Sequence, residues 1–533
     1  MRLLHFVARA APIAFCAARI ASAQAHPASH DPKLGTVHFS TSCARSVSPT
    51  FDRAIALLHS FEFGGAIAAF NDVLARDSTC AMAYWGIAMS RWTNPLLAGS
   101  RSPAQLRSGK EASDAATRLG SRATNRERGY IAAVSRLYEN YENTDQRSRI
   151  GAYERAMAVL ATSQPADTEA TIFHAVAVIA AAPPTDKTFA NQRKAGAILE
   201  PIFAKYPNHP GVAHYIIHAY DVPPLAAQAE VAAKRYATIA PASAHALHMP
   251  SHTFTRVGWW KESVRANLRA VESARKEGSF AEALHASDYA MYAYLQMRND
   301  SAAQRVMREL PELTARFDVN AIGAGASGAS GMFALAAIPA RYALERRAWA
   351  DAAALSPTTR EFPWTVGMTY FARALGAAHV GDLNSARAAI DTLGVIRDRL
   401  TVSGEAYWSD QVAIQQLGAK AWLQWAEHHS DSALATMRET AQREDQTEKS
   451  PVTPGPLAPA RELLGDMLMD LRRQKDALDA YRATLVKEPN RFNAMCGAYR
   501  AASAVGDRAS ASKFAAQLRT LTGSSGSCPA TSS

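Results

Sequence analysis

The stretch from Leu464 to Pro489 carries the sequence pattern that most limits how this chain can fold. In order, it contains Leu464, Gly465, Leu468, Ala477, Tyr481 and Pro489. The two small residues permit a close crossing of two helices, and the large side chains that follow them fill that crossing. Proline ends a helix and is tolerated at the start of the next one. The pattern predicts a helix–turn–helix unit of about 34 residues, which must stack on similar units to bury its apolar face.

Weaker copies of this pattern recur along the chain. They are marked by Leu57, Ala66 and Phe70, with Ser78 at the proline position; by Tyr84, Trp85 and Gly86; by Phe254, Gly258, Trp259 and Asn267; by Tyr294 with Ala303; by Ala377 with Ala386; by Ala433 with Met437; and by Gly506 and Asp507 with Ala511. Between positions 101 and 161 we can recognise only amphipathic helices. Runs of alternating β-branched residues are few, so we expect an all-α fold of about ten to twelve helix pairs.

Length and charge agree with a soluble repeat protein. The chain has 533 residues, whereas a single hydrophobic core stops growing at about 250–300 residues. Its formal net charge is +10, but the basic residues are mixed with acidic ones, as where Arg472 and Arg473 lie among Asp466, Asp470 and Asp476. This mixture indicates a solvated helix surface, and we expect no nucleic-acid partner.

The chain resembles the tetratricopeptide repeat (TPR) superfamily. From Cys43 onward it also resembles a group of large exported bacterial TPR proteins with no assigned activity, most clearly at 83–89, 214–221 and 245–258. The resemblance implies a right-handed superhelix whose first helices line a concave groove for a peptide, a protein or a small ligand. On that groove face it places Trp85, Met89, Trp92 and Arg256, although aromatic residues at helical spacing also suit a core.

The N-terminus predicts export. Residues 1–25 have the short positive start, the apolar stretch and the small residues of a cleaved secretory signal, followed by a linker over 26–42. No later apolar run reaches the length of about 18 residues that a membrane span needs, so we expect no transmembrane segment. These features predict a periplasmic or secreted protein.

Four cysteines follow the signal segment, one pair near each end of the chain. Cys43 precedes the first helix pair and Cys80 follows it, and an antiparallel pair returns the chain to its starting end, so these two can bond. Cys496 and Cys528 can bond if the Gly/Ser-rich tail, 521–533, folds back. An even count in an exported protein favours disulfides, the alternative being four free buried thiols.

A Gly/Ala/Ser stretch over 321–331 interrupts the repeats. Such a composition predicts no stable helix. We therefore expect one solenoid over 43–320, a second over 332–520, and between them a hinge, a flap over the groove or a loose surface loop.

Histidines are concentrated between His214 and Asp288 at helical spacing. The sets that share a face are His214, His218 and Asp221; His245, His248 and His252; and His285 with Asp288. Residues three, four or seven positions apart lie on one side of a helix. In the repeat frame these sets fall on the first helices of three successive units, which pack about 8–10 Å apart. We therefore expect their side chains to converge on one groove site.

Imidazoles and carboxylates in this number suit a divalent transition metal: zinc, copper, iron or nickel. His214 and His218 do not form the HExxH pattern, because Tyr, Ile and Ile separate them, so a zincin-type protease is disfavoured. Two other interpretations stay open at this point, a polar binding groove without metal and ordinary helix packing.

Two functions fit these features. The first is an exported TPR scaffold that binds a peptide, protein or small ligand in its groove and holds a metal ion on the histidines and aspartates. The alternative is a metal-dependent enzyme, hydrolytic or oxidative, that uses the same histidines. No nucleophile–base pair can be recognised in the sequence, which favours the scaffold.

Overall fold

The computed structural model describes residues 33–97, 99, 101–357, 362–523 and 528. The predicted signal segment and the first part of the predicted linker, 26–32, lie outside the described residues. From Lys33 onward the chain forms one compact unit.

The first fifteen α-helices lie between Cys43 and the Gly/Ala/Ser stretch. They are α1 (Ser48–His59), α2 (Phe63–Arg76), α3 (Ala81–Trp92), α4 (Pro103–Leu119), α5 (Asn125–Tyr138), α6 (Gln146–Ser163), α7 (Thr168–Ala180), α8 (Ala190–Lys205), α9 (Pro210–Ala219), α10 (Glu230–Ile239), α11 (Ala244–His248), α12 (Pro250–Arg256), α13 (Trp260–Glu277), α14 (Phe280–Gln296) and α15 (Asp300–Arg316). Short 3₁₀ turns lie at Arg45–Val47, Gly120–Arg122 and Ala226–Ala229.

Ten further α-helices complete the described chain. They are α16 (Gly328–Leu344), α17 (Trp349–Ala353), α18 (Pro363–His379), α19 (Leu383–Val402), α20 (Ala406–Ala426), α21 (Ser430–Asp445), α22 (Ala460–Asp470), α23 (Gln474–Lys487), α24 (Phe492–Ala504) and α25 (Arg508–Thr522). The described residues contain no β-strand, so the predicted all-α class is confirmed. None of their helices combines the length and the apolar character that crossing a membrane requires.

The helices stack as a TPR-type solenoid. Each packs on the next, and alternate helices touch as well, as α1 touches α3 and α22 touches α24. In the unit that the sequence marked most clearly, an added Cβ at Gly465 would lie 2.6 Å from the Tyr481 ring. Ala477 is fully buried beside it. The predicted close crossing, with two small residues and one large aromatic, is therefore present.

The Gly/Ala/Ser stretch is more ordered than its composition predicted. Helix α16 already begins at Gly328, so the expectation of no helix is wrong for 328–331. Ser327 caps this helix by accepting a hydrogen bond from the backbone N–H of Ser330. Gly331 packs against the Phe317 ring, and an added Cβ there would come within 2.7 Å of it. The cap and the close packing offset the weak helix propensity of glycine.

Both predicted disulfides are present. Cys43 and Cys80 are bonded with a Cα–Cα distance of 5.0 Å across the ends of the α1–α2 pair. Cys496, on α24, is bonded to Cys528 with a Cα–Cα distance of 5.5 Å. The described end of the tail is therefore tied back to the last helix pair, as the fold-back interpretation required.

An irregular segment over 447–459 joins α21 to α22 and runs along the helices that bear the histidines. The guanidinium of Arg341, on α16, donates to the backbone oxygens of Gly455 and Pro456 at 2.8 and 3.0 Å. It also donates to Thr453 Oγ1 at 2.7 Å. The hydroxyl of Tyr289, on α14, donates to the backbone oxygens of Pro451 and Thr453. This 447–459 segment is thus fastened to α14 and α16.

Candidate metal centre

Short helices with well-defined starts place the six histidines. Pro210 opens α9, which carries His214 and His218. Ser243 caps α11, which carries His245 and His248, and Pro250 opens α12, which carries His252. His285 lies on α14. All six imidazoles are buried and lie close together, so the predicted convergence is found, although inside the protein and not on an open groove surface.

His214, His218 and His245 form a first triad. One ring nitrogen from each lies within 4.8 Å of the others. Nδ1 of His214 donates to the backbone oxygen of His59 at 2.7 Å, and Nδ1 of His245 donates to Glu282 Oε1 at 3.0 Å. The three Nε2 atoms are buried and have no hydrogen-bond partner among the residues that the structure describes. Buried polar atoms are normally paired, so this arrangement requires an explanation.

His248, His252 and His285 form a second triad of the same kind, also with ring nitrogens within 4.8 Å of one another. Nδ1 of His248 donates to Asn267 Oδ1 at 2.7 Å, and Nδ1 of His252 donates to Asp221 Oδ2 at 2.9 Å. Their Nε2 atoms face each other at 3.1 Å. In two rings of each triad an oxygen acceptor holds Nδ1–H and leaves Nε2 as the free acceptor, which is how proteins orient metal-binding imidazoles.

Burial favours the neutral form of four of these rings. Burial first, and then the charge that neighbouring imidazoles would carry, holds the pKa of His214, His218 and His248 well below the usual value. Burial also lowers the pKa of His285 to about 3. A neutral imidazole is the form that binds metals, so these rings are competent ligands at neutral pH.

The two predicted aspartates do not join the histidine nitrogens as ligands. Asp221 accepts from His252 and from Arg256 Nε at 2.9 Å, and Lys449 Nζ lies 3.4 Å away. Burial opposes its ionisation, but the cations of Lys449 and Arg256 outweigh burial and hold the pKa of Asp221 well below the usual range. The carboxylate therefore supports His252 from the side away from the triad.

Asp288 pairs with an arginine and belongs to neither triad. Its Oδ1 accepts from Arg341 Nε at 2.8 Å in a fully buried ion pair. Arg341 lies on α16, two helices further along the chain, and the other oxygen of Asp288, Oδ2, is buried without a hydrogen-bond partner among the described residues. Arg256, expected on the groove face, is buried and pairs with Asp221.

Of the predicted groove residues on α3, Trp85 lies in the core. Its ring stacks on Phe39 at a centroid distance of 5.5 Å and meets Tyr130 and Phe173 edge-on. Met89 and Trp92 line a small cavity of about 30 Å³ beneath Phe61. The placement of Trp85 on a groove face is therefore wrong, since aromatic residues at helical spacing here fill the core.

Several neighbours of the triads went unpredicted. The Phe61 ring lies 4.4 Å from that of His214 and 5.7 Å from that of His245, between centroids. The Tyr289 ring lies 4.9 Å from those of both His248 and His252. Glu282, three residues before His285, and Tyr289, four residues after it, share its helix face and could have been identified by helical spacing.

Acidic groups surround the first triad. Burial alone raises the pKa of the Glu282 carboxyl, but contact with His245 outweighs it and holds that pKa below the usual range. The neighbouring Glu62 accepts hydrogen bonds from Ser243 Oγ and from the backbone N–H of His245. Burial raises the pKa of the Glu62 carboxyl to about 8. Ionised or ionisable carboxyls therefore lie where they can balance the charge of a bound cation.

The Gly/Ala/Ser stretch closes the first triad on one side. The backbone N–H of Ala326 donates to Glu282 Oε2 at 2.8 Å, and that of Gly64 donates to the backbone oxygen of Gly323 at 3.0 Å. An added Cβ at Gly325 would lie 2.3 Å from the His245 ring. The other side of this stretch lines a cleft of about 470 Å³, together with Trp364 and Trp408. It is thus a flap between the cleft and the histidines.

A third buried histidine group is of a different kind. Glu169 accepts from His59 Nε2 at 2.8 Å and from His209 Nε2 at 2.9 Å. Their other ring nitrogens contact the Tyr215 hydroxyl and the backbone N–H of Val212. Every ring nitrogen of the pair is engaged within the protein, so this group is explained as a buried hydrogen-bonded cluster.

Comparisons with known proteins find similarity of structure only. No family model matches the chain, and no curated protein matches it in sequence. Among solved structures, the human IFIT1 dimer with m7Gppp-AAAA is 9% identical, with 90% of this chain and 96% of that chain covered and a TM-score of 0.38. Yeast Tom70 is 12% identical over 89% and 97% of the two chains, with a TM-score of 0.31. The P58(IPK) TPR domain is 10% identical over 87% and 99%, with a TM-score of 0.22.

Proposed function

We propose that this protein is an exported TPR-type scaffold that holds a divalent transition metal on His214, His218 and His245. The observation that carries the proposal is the state of their Nε2 atoms, which are buried, mutually close and left without a partner by the described residues. Leaving one such acceptor unsatisfied costs about 1–3 kcal/mol, so three together call for a ligand. A divalent cation satisfies all three at once.

The surroundings of the triad support a bound ion. Each metal-binding imidazole normally donates its other N–H to an oxygen acceptor, and His214 and His245 do so here. Glu282 supplies negative charge next to His245 without competing for the ion, because its oxygens are bound to His245 and to the Ala326 N–H. Three imidazoles leave a fourth position for water or a ligand, as in zinc sites that act on substrates.

The flap favours the enzyme as a second candidate function. Gly325 touches His245 on one side, and its stretch lines the cleft on the other. If the flap moves, a small molecule in the cleft reaches the open position of the ion. A bound ion supplies Lewis acidity there, polarising a ligand oxygen or lowering the pKa of water. The chain's own part is to orient His245 through Glu282 and to exclude bulk water with Phe61 and the flap.

We also propose that the protein is exported. Two disulfides suit an oxidising compartment, and they lie at the two ends of the described chain.

We further propose that the cleft lined by the flap binds a ligand. Because the 447–459 segment covers the helices that bear the histidines, we expect a peptide or small ligand to bind not on those helices but in the cleft beside Trp364 and Trp408.

Metal analysis of the purified protein tests the first triad. The protein is produced with its disulfides, stripped with a chelator, incubated with zinc or copper(II), desalted and analysed by mass spectrometry for metal per chain. We expect wild type to retain metal, and His214→Ala and His245→Ala each to lose about one ion per chain. His429→Ala, at an exposed site outside the cluster, serves as the control.

Circular dichroism separates loss of metal from loss of fold. The alanine variants should keep the helical signal of wild type while losing metal. If wild type retains no metal after desalting, or if the His214 and His245 variants retain as much as the His429 control, the proposed function is wrong.

A further inference from the structure

We propose that His248, His252 and His285 hold a second ion, and that the two triads together form a binuclear copper centre. This inference rests on the proposed function of the first triad and adds a site to it. Its starting point is a contact that hydrogen bonding within the protein leaves unexplained, that between the Nε2 atoms of His248 and His252.

These two atoms are both acceptors, yet they face each other at 3.1 Å. Asn267 and Asp221 accept from Nδ1 of the two rings, so each neutral ring keeps its proton on Nδ1 and its lone pair on Nε2. Two lone pairs at this distance repel unless a cation lies between them. Two nitrogens bound to one ion at about 2.0–2.1 Å stand about 3.3 Å apart at a tetrahedral angle, close to the spacing observed.

His285 completes the set of three. It lies on α14, and its ring centroid is 4.5 Å from that of His248 and 6.1 Å from that of His252. Its Nδ1 is buried and finds no hydrogen-bond partner in the described part of the chain. The second triad therefore also presents three imidazoles, two of them oriented by oxygen acceptors behind the ring.

The two triads lie side by side. His245, of the first triad, and His248, of the second, are on the same short helix, α11, and their ring centroids are 6.0 Å apart. The ring centroids of His218, on α9, and His252, on α12, are 5.9 Å apart. Members of one triad are therefore about as close to the other triad as to one another. Ions held at both would share one buried space, as in two-metal centres.

The donor set points to copper. All six candidate ligands are imidazoles, and no carboxylate of the described residues joins either triad. Asp221 and Glu282 lie behind the rings of His252 and His245, where they also bind Arg256 and Lys449 and the Ala326 N–H. Di-iron and di-manganese centres in helical proteins use several glutamates as ligands. Imidazole sites without oxygen ligands suit copper or zinc, and copper(II) binds more tightly at equal geometry.

Copper loading followed by electron paramagnetic resonance tests the binuclear centre. Stripped wild-type protein, His214→Ala, His285→Ala and the His429→Ala control are each saturated with copper(II) and desalted. Metal content is measured together with the integrated copper signal, and a parallel sample loaded with zinc is challenged with copper(II). Circular dichroism verifies that each variant is folded, and His285→Gln provides a second substitution at that position.

We expect two copper ions per chain in wild type and in the control, with a signal well below that of two isolated ions because the neighbouring spins couple. His285→Ala and His285→Gln should hold one ion with a full signal, and so should His214→Ala. Copper should displace zinc.

One ion per wild-type chain, unchanged by the His285 substitutions, would overturn the second site and leave the first intact. Two ions with the simple sum of two isolated signals would overturn the binuclear arrangement, and failure of copper to displace zinc would overturn the choice of metal. No retained metal at all would instead overturn the function proposed above.

Discussion

Gly325 lies against the ring of His245, so close that a Cβ on residue 325 would stand 2.3 Å from Cε1 and 2.4 Å from Nδ1 of that ring. The contact joins the flap to the first triad. It makes Gly325 a determinant of where the His245 ring can point. The backbone of Gly325 does not have a positive φ, so the requirement is for space and not for backbone conformation.

The first prediction follows from this contact. Gly325→Val should displace either the flap or the His245 ring and lower the affinity of the first triad for zinc by about tenfold or more, since small misplacements of a ligand disrupt metal geometry. Competition with a chromophoric chelator measures the affinity. Gly120→Ala is the control, because its added Cβ would meet Ile131 at an ordinary 3.8 Å. Equal affinities in the two variants would contradict the prediction.

The second prediction concerns Glu282. Glu282→Gln keeps the shape of the side chain but removes the negative charge that His245 Nδ1 contacts at 3.0 Å. Loss of such a partner typically lowers metal affinity by about 10–100-fold, and we expect a fall in that range. The same competition assay measures it. Glu272→Gln, on the exposed face of α13, should bind metal like wild type.

The third prediction concerns the first disulfide. It closes a loop with a sequence separation of 37, for which chain entropy gives a stabilisation of about 3–4 kcal/mol. The double variant Cys43→Ser/Cys80→Ser should lose about that much free energy of unfolding of this end of the solenoid. Chemical denaturation gives the value, and peptide mapping of unreduced protein verifies the bond. Equal stabilities of the variant and oxidised wild type would disprove the contribution.

The fourth prediction is a pH dependence at His379. Its ring is stacked between Trp349 and Trp422, with centroid distances of 3.8 and 4.4 Å. Burial lowers the pKa of His379 to about 4. At neutral pH the ring is uncharged in both states. Between about pH 6.5 and pH 4 the ring is protonated in the unfolded chain but not in the folded protein. Proton uptake therefore stabilises the unfolded state, and the free energy of unfolding decreases as pH falls through this range.

His379→Phe removes that titration and keeps a ring in the stack. The free energy of unfolding of wild type, minus that of the variant, should therefore decrease by about 1–3 kcal/mol between pH 7 and pH 4.5. Denaturation curves at several pH values measure this difference. Other acid-sensitive groups affect both proteins alike, so parallel curves would show that His379 does not contribute.

Helical spacing predicted much of the histidine centre because each short helix fixes the relation of its own side chains. His214 with His218, and His245 with His248, face one way for that reason alone. The sequence could not predict the division into two triads. That division depends on how α9, α11, α12 and α14 are rotated against each other, and no spacing within a single helix reports such rotations.

Aspartates were harder to place than histidines for a related reason. Asp288 has the same spacing from His285 that a ligand would have, yet it pairs with Arg341, which lies 53 positions further along the chain. Asp221 is fixed by Lys449, 228 positions away. Partners at such separations follow no helical period, so the sequence could not indicate what holds these two carboxylates.

The attachment of the 447–459 segment to α16 changes how this solenoid should come apart. In an open repeat array each unit touches only its neighbours, so unfolding can begin at either end and proceed unit by unit. Here Arg341 donates hydrogen bonds to the backbone oxygens of Gly455 and Pro456. Trp260 donates to the backbone oxygen of Asn490 at 2.9 Å, and these two residues are 230 positions apart in the chain. Before the C-terminal units can unfold, their contacts with the middle of the chain must break. Mechanically, the array therefore behaves as a closed loop.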